Sequence, residues 1–169
     1  MNAEQAEKLN ETLKDKSAEE VIRAVLALGL GRAVVTTNFR PYESVILHMA
    51  AQVQPGVDAL WVDHGANLPE TYRFADATLK QVNVTVYPYL PKMTAEHWKA
   101  LNGGLLPMPD EVERVESFSR IMKLEPFERG MKELAPAVWI TALRREQNPQ
   151  RAATLKTVMW DEKIGRAHV

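Results

Sequence analysis

Residues 32–53 read RAVVTTNFRPYESVILHMAAQV. A short apolar run, Ala33 to Val35, leads into Thr36, Thr37 and Asn38. A turn around Arg40 and Pro41 follows, and then an amphipathic run with Val45, Ile46, Met49 and Val53 on one helical face. Strand, polar turn and helix in that order is how many α/β proteins hold a phosphate. The hydroxyls and the amide suit that use. The turn has no glycine, however, and carries Arg40 and Pro41 where a close-approach loop wants small residues. Two readings stand: a modified phosphate loop, or a turn whose Thr36, Thr37 and Asn38 cap the next helix.

Outward from that unit the pattern repeats. Residues 3–15 and 18–29 read as helices. Ser17 with Glu20 makes a capping-box pattern, and Gly29 and Gly31 close the second run. VDALWVDHG predicts a strand ending at Asp63, Pro69 opens a helix to about Gln81, and NVTVYPY (83–89) is a third strand. EHWKAL is helical. NGGLLPMPDE is loop-like and reads either as a mobile lid or as a plain surface connection. A helix over 123–134, the apolar strand AVWITAL (137–143), a polar loop LRREQNPQRA and a last strand LKTVMWD (155–161) complete the chain. Strands alternating with helices argue one α/β domain over 1–169, a parallel sheet sandwiched by helices. Residues 1–30 supply N-terminal helices and 31–169 the core.

Composition narrows the function. The 169 residues are 46% hydrophobic and 25% charged, with a net charge of −1. That predicts a globular protein with no bulk attraction to nucleic acid or to an anionic membrane. No apolar run reaches the ~20 residues of a membrane span. The polar, acidic start, MNAEQAEKLNETLKDK, is unlike a secretory signal, so a cytoplasmic location is expected. Cysteine is absent. Thiolate metal sites, iron–sulfur clusters and a cysteine nucleophile are therefore excluded within these residues. The four histidines show no ligand spacing, so no metal is expected.

Ligands of open parallel sheets bind beyond the carboxyl ends of the strands. Thr36, Thr37, Asn38 and Arg40 follow the first strand there. Asp63, His64 and Gly65 follow the second, and Arg144, Arg145, Glu146, Gln147 and Arg151 the fourth. Hydroxyls, a carboxylate and several arginines on one edge suit an anionic, phosphorylated ligand. Each has a plainer reading. Asp63 serves as a turn or cap residue, His64 as an exposed loop residue, and the arginines as a solvated charged loop. Lys123 reads as surface charge at a helix start, and the four tryptophans as core or core-edge residues.

Three segments resemble the phosphoadenylyl-sulfate and adenylyl-sulfate reductases of sulfate assimilation. TTNF is similar to that family's Ser/Thr-rich loop, and WVDHGANLPETYRFAD to its Asp-Thr-Gly…Pro-Glu-Thr-Tyr segment. KLEPFERGMKELAPAVWITALRREQNPQRA is similar to its Lys-Val-Glu-Pro…Leu-Arg-Arg-Glu-Gln stretch. Together they span roughly residues 30–165. The resemblance implies an adenine-nucleotide α-hydrolase-like, three-layer fold and an adenine nucleotide or sulfonucleotide ligand. By the same resemblance, Thr36, Thr37 and Asn38 would face the phosphosulfate, and Asp63 and Gly65 would border the adenosine. Lys123 would approach the sulfate or phosphate. Arg144, Arg145 and Arg151 would line the anionic pocket. Homo-oligomers or a sulfur-assimilation protein partner are also implied.

The chain departs from the family at three points. The loop glycine is Arg40, followed by Pro41. Asp-Thr-Gly is Asp63-His64-Gly65. The chain stops at Val169, near where the family enters its Glu-Cys-Gly-Leu-His segment, and SFSRIMK (117–123) stands where one branch carries cluster cysteines. The family's enzyme thiosulfonate needs a thiolate. The expectation is therefore a homologue that binds nucleotide without catalysing reduction, as an accessory or regulatory subunit. One alternative is a reductase whose thiol comes from elsewhere, or a truncated one. The other is an interaction domain whose pocket is blocked by Arg40 paired with Asp63 or Glu43.

Overall fold

The computed structural model describes residues 1–143, 147–161 and 165–169, with the backbone alone for Ala152. Helices α1 (Ala3–Leu13) and α2 (Ala18–Ala27) both open on capping boxes, Asn2 with Gln5 and Ser17 with Glu20. Strand β1 (Ala33–Thr37) runs into one 3-10 turn (Pro41–Glu43) and α3 (Ser44–Val53). Then come β2 (Val57–Val62), α4 (Pro69–Leu79), β3 (Val84–Tyr89), α5 (Ala95–Leu101) and α6 (Val112–Ser119). A π turn (Arg120–Leu124) joins α6 to α7 (Glu125–Leu134). The chain continues through β4 (Val138–Ile140), α8 (Pro149–Thr154), β5 (Met159–Asp161) and β6 (Arg166–His168).

The sheet has the order β3-β2-β1-β4-β6-β5. Val35 of β1 sits opposite Ala59 of β2 and Ile140 of β4, all in parallel. β6 is parallel to β4, and β5 alone is antiparallel, against β6. Side chains alternate across the pleat. Val35, Ala59, Val138 and Ile140 face a core shared with Ile22, Val25, Leu47 and Ala75, from α2, α3 and α4. Val34, Leu60 and Tyr89 face Met131 and Leu134 of α7 on the other side. The result is the expected three-layer α/β sandwich with a mostly parallel sheet. α7 comes close enough to the sheet that a Cβ on Gly130 would stand 2.6 Å from Leu60 Cδ1.

Four elements differ from the sequence expectation. α6 and α7 form nearly one continuous rod, whereas the pattern placed a helix start at residue 123. Pro126 has no N–H for the carbonyl of Met122, and the rod carries a π turn at that point. α8 lies in the expected polar loop. It has six residues, capped by Asn148 accepting from Arg151 N at 2.8 Å, and too few apolar positions to show a period. β6 is three residues long and exists through its pairing with β4 and β5. The strand expected over 155–161 is β5 and begins at Met159.

The loop expected at 102–111 is present, and it is tied down. The Arg114 guanidinium donates to the carbonyls of Asn102 (2.7 Å) and Leu105 (2.8 Å), pairs with Glu111 and lies over Trp98. A plain connection describes it better than a lid.

Candidate functional site

The strand order reverses between β1 and β4: from β1 the chain moves through β2 to β3, then returns to β4 on the other side. A crevice opens at such a switch point, beyond the carboxyl ends of the strands. Two adjoining cavities lie there. The larger, about 620 Å³, holds Thr36, Thr37, Glu43, Trp139, Thr141 and Arg151 among its walls. The second, about 480 Å³, holds Trp61, His64, Asn67, Thr71 and Lys123. Asn38 and Arg40 line both, as do Leu124 and Phe127.

The predicted residues fall into three groups. Thr36, Thr37, Asn38, Arg40, Lys123 and Arg151 come together around the two cavities, from β1, the turn after it, the π turn and α8. Asp63 and Gly65 line neither. Asp63 Oδ1 instead accepts from Gly65 N (3.0 Å), Asn67 Nδ2 (3.1 Å) and the Tyr72 hydroxyl (2.8 Å). It organises the loop that carries His64 and Asn67 to the cavity wall. Gly65 supplies the φ of +70° that this loop needs. Arg144, Arg145 and Glu146 lie outside the described residues.

The turn after β1 is built differently from the sequence expectation. Its left-handed residue is Phe39, at φ 51°, whereas Arg40 is extended at φ −80° and needs no glycine. Phe39 is buried edge-on against Trp61, with ring centroids 5.0 Å apart. Its N–H donates to Thr37 Oγ1 at 3.0 Å. The Asn38 N–H donates to Glu43 Oε2, also at 3.0 Å. Thr36 Oγ1 accepts from Trp139 Nε1 at 3.0 Å, which fixes the indole across the switch point.

Arg40 pairs with neither Asp63 nor Glu43, so the blocking ion pair of the interaction-domain alternative is not formed. Among the described residues no carboxylate pairs with Arg40 or Lys123. Lys123 Nζ lies 5.7 Å from the centroid of the Phe118 ring. Both cations act on His64. Burial lowers the pKa of His64 first, the Lys123 charge lowers it further, Asp63 opposes, and Arg40 adds to the lowering. His64 Nδ1 accepts from Ala66 N at 3.2 Å, which leaves Nε2 to carry the proton of the neutral ring. Among the described residues the two walls carry Arg40, Lys123 and Arg151 against the one carboxylate of Glu43, together with threonine hydroxyls and the rings of Trp61, Phe127 and Trp139. An anion attached to a planar ring system suits that chemistry.

The phosphoadenosine phosphosulfate reductase domain matches residues 32–167. The chain belongs to that family. It is 34% identical over 147 residues to the phosphoadenosine 5'-phosphosulfate reductase of Synechococcus sp., covering 85% of this chain and 61% of that protein. It is 33% identical to the Vibrio parahaemolyticus protein of the same name, covering 85% and 55%. The chain thus spans less than two thirds of the length of these relatives. Among solved structures it resembles phosphoadenylyl-sulfate (PAPS) reductase from Candida auris, a phosphate complex. The TM-score is 0.80 at 25% identity, over all of this chain and 78% of that one. Family and three-layer fold agree with the resemblance read from the three segments.

Several cavity residues carried no such signal in the sequence. Trp61 and Trp139 read as core or core-edge residues; both pack on the core, and each also lines a cavity. Phe127 and Leu124 lie in the segment expected to be helical over 123–134 and were not singled out there. Glu43 was anticipated only as a partner of Arg40. Its spacing from Asn38 across a proline turn is the one local clue.

Proposed function

We propose that this chain binds an adenine nucleotide or sulfonucleotide at the β1/β4 switch point and contributes no thiol of its own. In this reading it is a non-catalytic member of the reductase family, an accessory or regulatory protein of sulfate assimilation in the cytoplasm. One observation carries the reading: Arg40 and Lys123, both without acidic partners among the described residues, face joined cavities at the strand ends. Unpaired cations converging on a crevice favour an anionic ligand. The Trp61 and Phe127 rings in the cavity walls supply aromatic surface that suits a purine. Reduction by the family's route needs a sulfur nucleophile, and these residues contain none. Hydroxyls such as Thr36 or Thr37 do not replace it, because a thiol reductant cannot resolve their sulfate esters.

Calorimetric titration with adenylyl sulfate, its 3'-phosphorylated form and AMP tests the proposal, with Lys123→Ala as the control. The expected result is saturable binding that weakens about tenfold in the variant, as loss of one charge-assisted contact implies. His64 gives a second readout by NMR: a bound anion raises its pKa, and so does Lys123→Ala. No binding of any of the three ligands refutes the reading.

A second reading rests on the family match over residues 32–167 beside the absence of cysteine in these residues. In it a separate thiol-bearing polypeptide completes a reductase. Sulfite release on mixing the two, absent with either alone, would distinguish it.

A further inference from the structure

The amides after β1 already have acceptors. Asn38 N–H is taken by the Glu43 carboxylate and Phe39 N–H by the Thr37 hydroxyl, both at 3.0 Å. Glu43 is half-buried and forms part of the wall of the larger cavity. A negative group therefore sits where a strand–turn–helix unit offers N–H groups to an anion. Arg40 lines that same cavity and borders the second as well, and Lys123 lines the second.

We infer that Glu43 is an internal anion that closes the loop amides and shifts recognition of the ligand's charged group to Arg40 and Lys123. The inference rests on the nucleotide reading above and names the residue that sets its affinity. With Glu43 in place, an oxyanion approaching Asn38 meets a carboxylate, and like charges at contact distance repel strongly in a partly dry crevice. The anion is held beside the loop by side chains, at reduced affinity. With Glu43 displaced, the Asn38 N–H becomes available and the loop recovers a backbone contact. A purely structural Glu43 would only favour the N-terminus of α3 through its charge. Its removal would then cost stability and leave affinity unchanged.

The experiment uses the full chain, Glu43→Gln and Glu43→Ala. Each is titrated with AMP, adenylyl sulfate and inorganic phosphate, with uncharged adenosine as control. Amide hydrogen exchange at Asn38 is followed in parallel. The expected result is binding of AMP and adenylyl sulfate about tenfold tighter in both variants, the scale of one charge-assisted hydrogen bond. Adenosine binding stays unchanged, and exchange at Asn38 is faster in Glu43→Ala. If the wild-type chain binds AMP and the variants bind equally or more weakly, the role given to Glu43 is overturned while the nucleotide reading stands. If neither the wild-type chain nor the variants bind any phosphate-bearing ligand, the nucleotide reading fails and this inference with it. Should Glu43→Ala melt early, Glu43→Gln, which keeps the shape and loses the charge, decides the matter.

Discussion

Phe39 holds the turn after β1 in the left-handed region, at φ 51°, with 1% of its surface exposed. Two energies oppose each other there. The left-handed conformation costs an L-residue about 1–2 kcal/mol, which glycine avoids. Burying the ring, edge-on to Trp61 at 5.0 Å, is worth about 3–5 kcal/mol by the usual cost of Phe→Ala in a core. Burial wins, which is why a bulky residue occupies a glycine-like position. Phe39→Ala loses the ring and keeps the strain, so it should destabilise by about 3–5 kcal/mol. Phe39→Gly loses the ring as well but removes ~1–2 kcal/mol of strain. Against that relief, glycine's extra unfolded-state entropy costs about 0.5–1 kcal/mol. The glycine variant should therefore be the more stable of the two by roughly 0.5–1 kcal/mol, the reverse of their order in a helix or strand. Urea denaturation followed by tryptophan fluorescence measures both midpoints. An alanine variant as stable as the glycine variant, or more so, would refute the strained-turn account.

Gly130→Ala in α7 tests the close approach of helix and sheet. The new Cβ would meet Leu60 Cδ1 at 2.6 Å and the Tyr89 ring at 2.9 Å. Overpacking of about 1–3 kcal/mol then exceeds the ~1 kcal/mol gained in helix propensity. A lower melting temperature is expected, and a raised one would contradict the packing. Acid should weaken the fold through two histidines. Burial lowers the pKa of both His64 and His168 below the ordinary 6.5, so the unfolded chain takes up protons more readily. Their contribution is intact above pH 6.5 and is lost as the pH falls through 6.5 toward the lowered folded values. Urea midpoints at about pH 8 and about pH 5.5 should differ in that direction, and His168→Gln should reduce the difference. A flat profile would argue against the burial of both rings.

Much of the architecture is local in origin. Strict alternation is not needed to see β1. Ala33, Val34 and Val35, a polar turn and an amphipathic run suffice, and β2 and β3 announce themselves in the same way. Pro69 opens α4 and Ser17 with Glu20 opens α2, because caps and proline act within one turn of chain. The family segments TTNF, LPETY and KLEPFERG stand in order along one chain, so membership was readable without coordinates. The positions of Thr36, Thr37, Asn38 and Arg40 at a strand end follow from the same local pattern.

Other features depend on contacts between distant residues, and no local pattern carries them. β6 is a strand because β4 and β5 flank it. Trp139 packs at the core edge and its indole N–H reaches Thr36 on the neighbouring strand, 103 residues away in the chain. Lys123 lies in the π turn ahead of Pro126 and lines the second cavity. Arg40 has no acidic partner among the described residues, and Glu43 turns to the Asn38 amide. The layers, the order of the early elements and the family were legible in the chain alone, because they rest on short-range periodicity, caps and motifs. Which charges face the crevice free, and which are already satisfied, was not. That depends on how segments far apart in the chain close around one another.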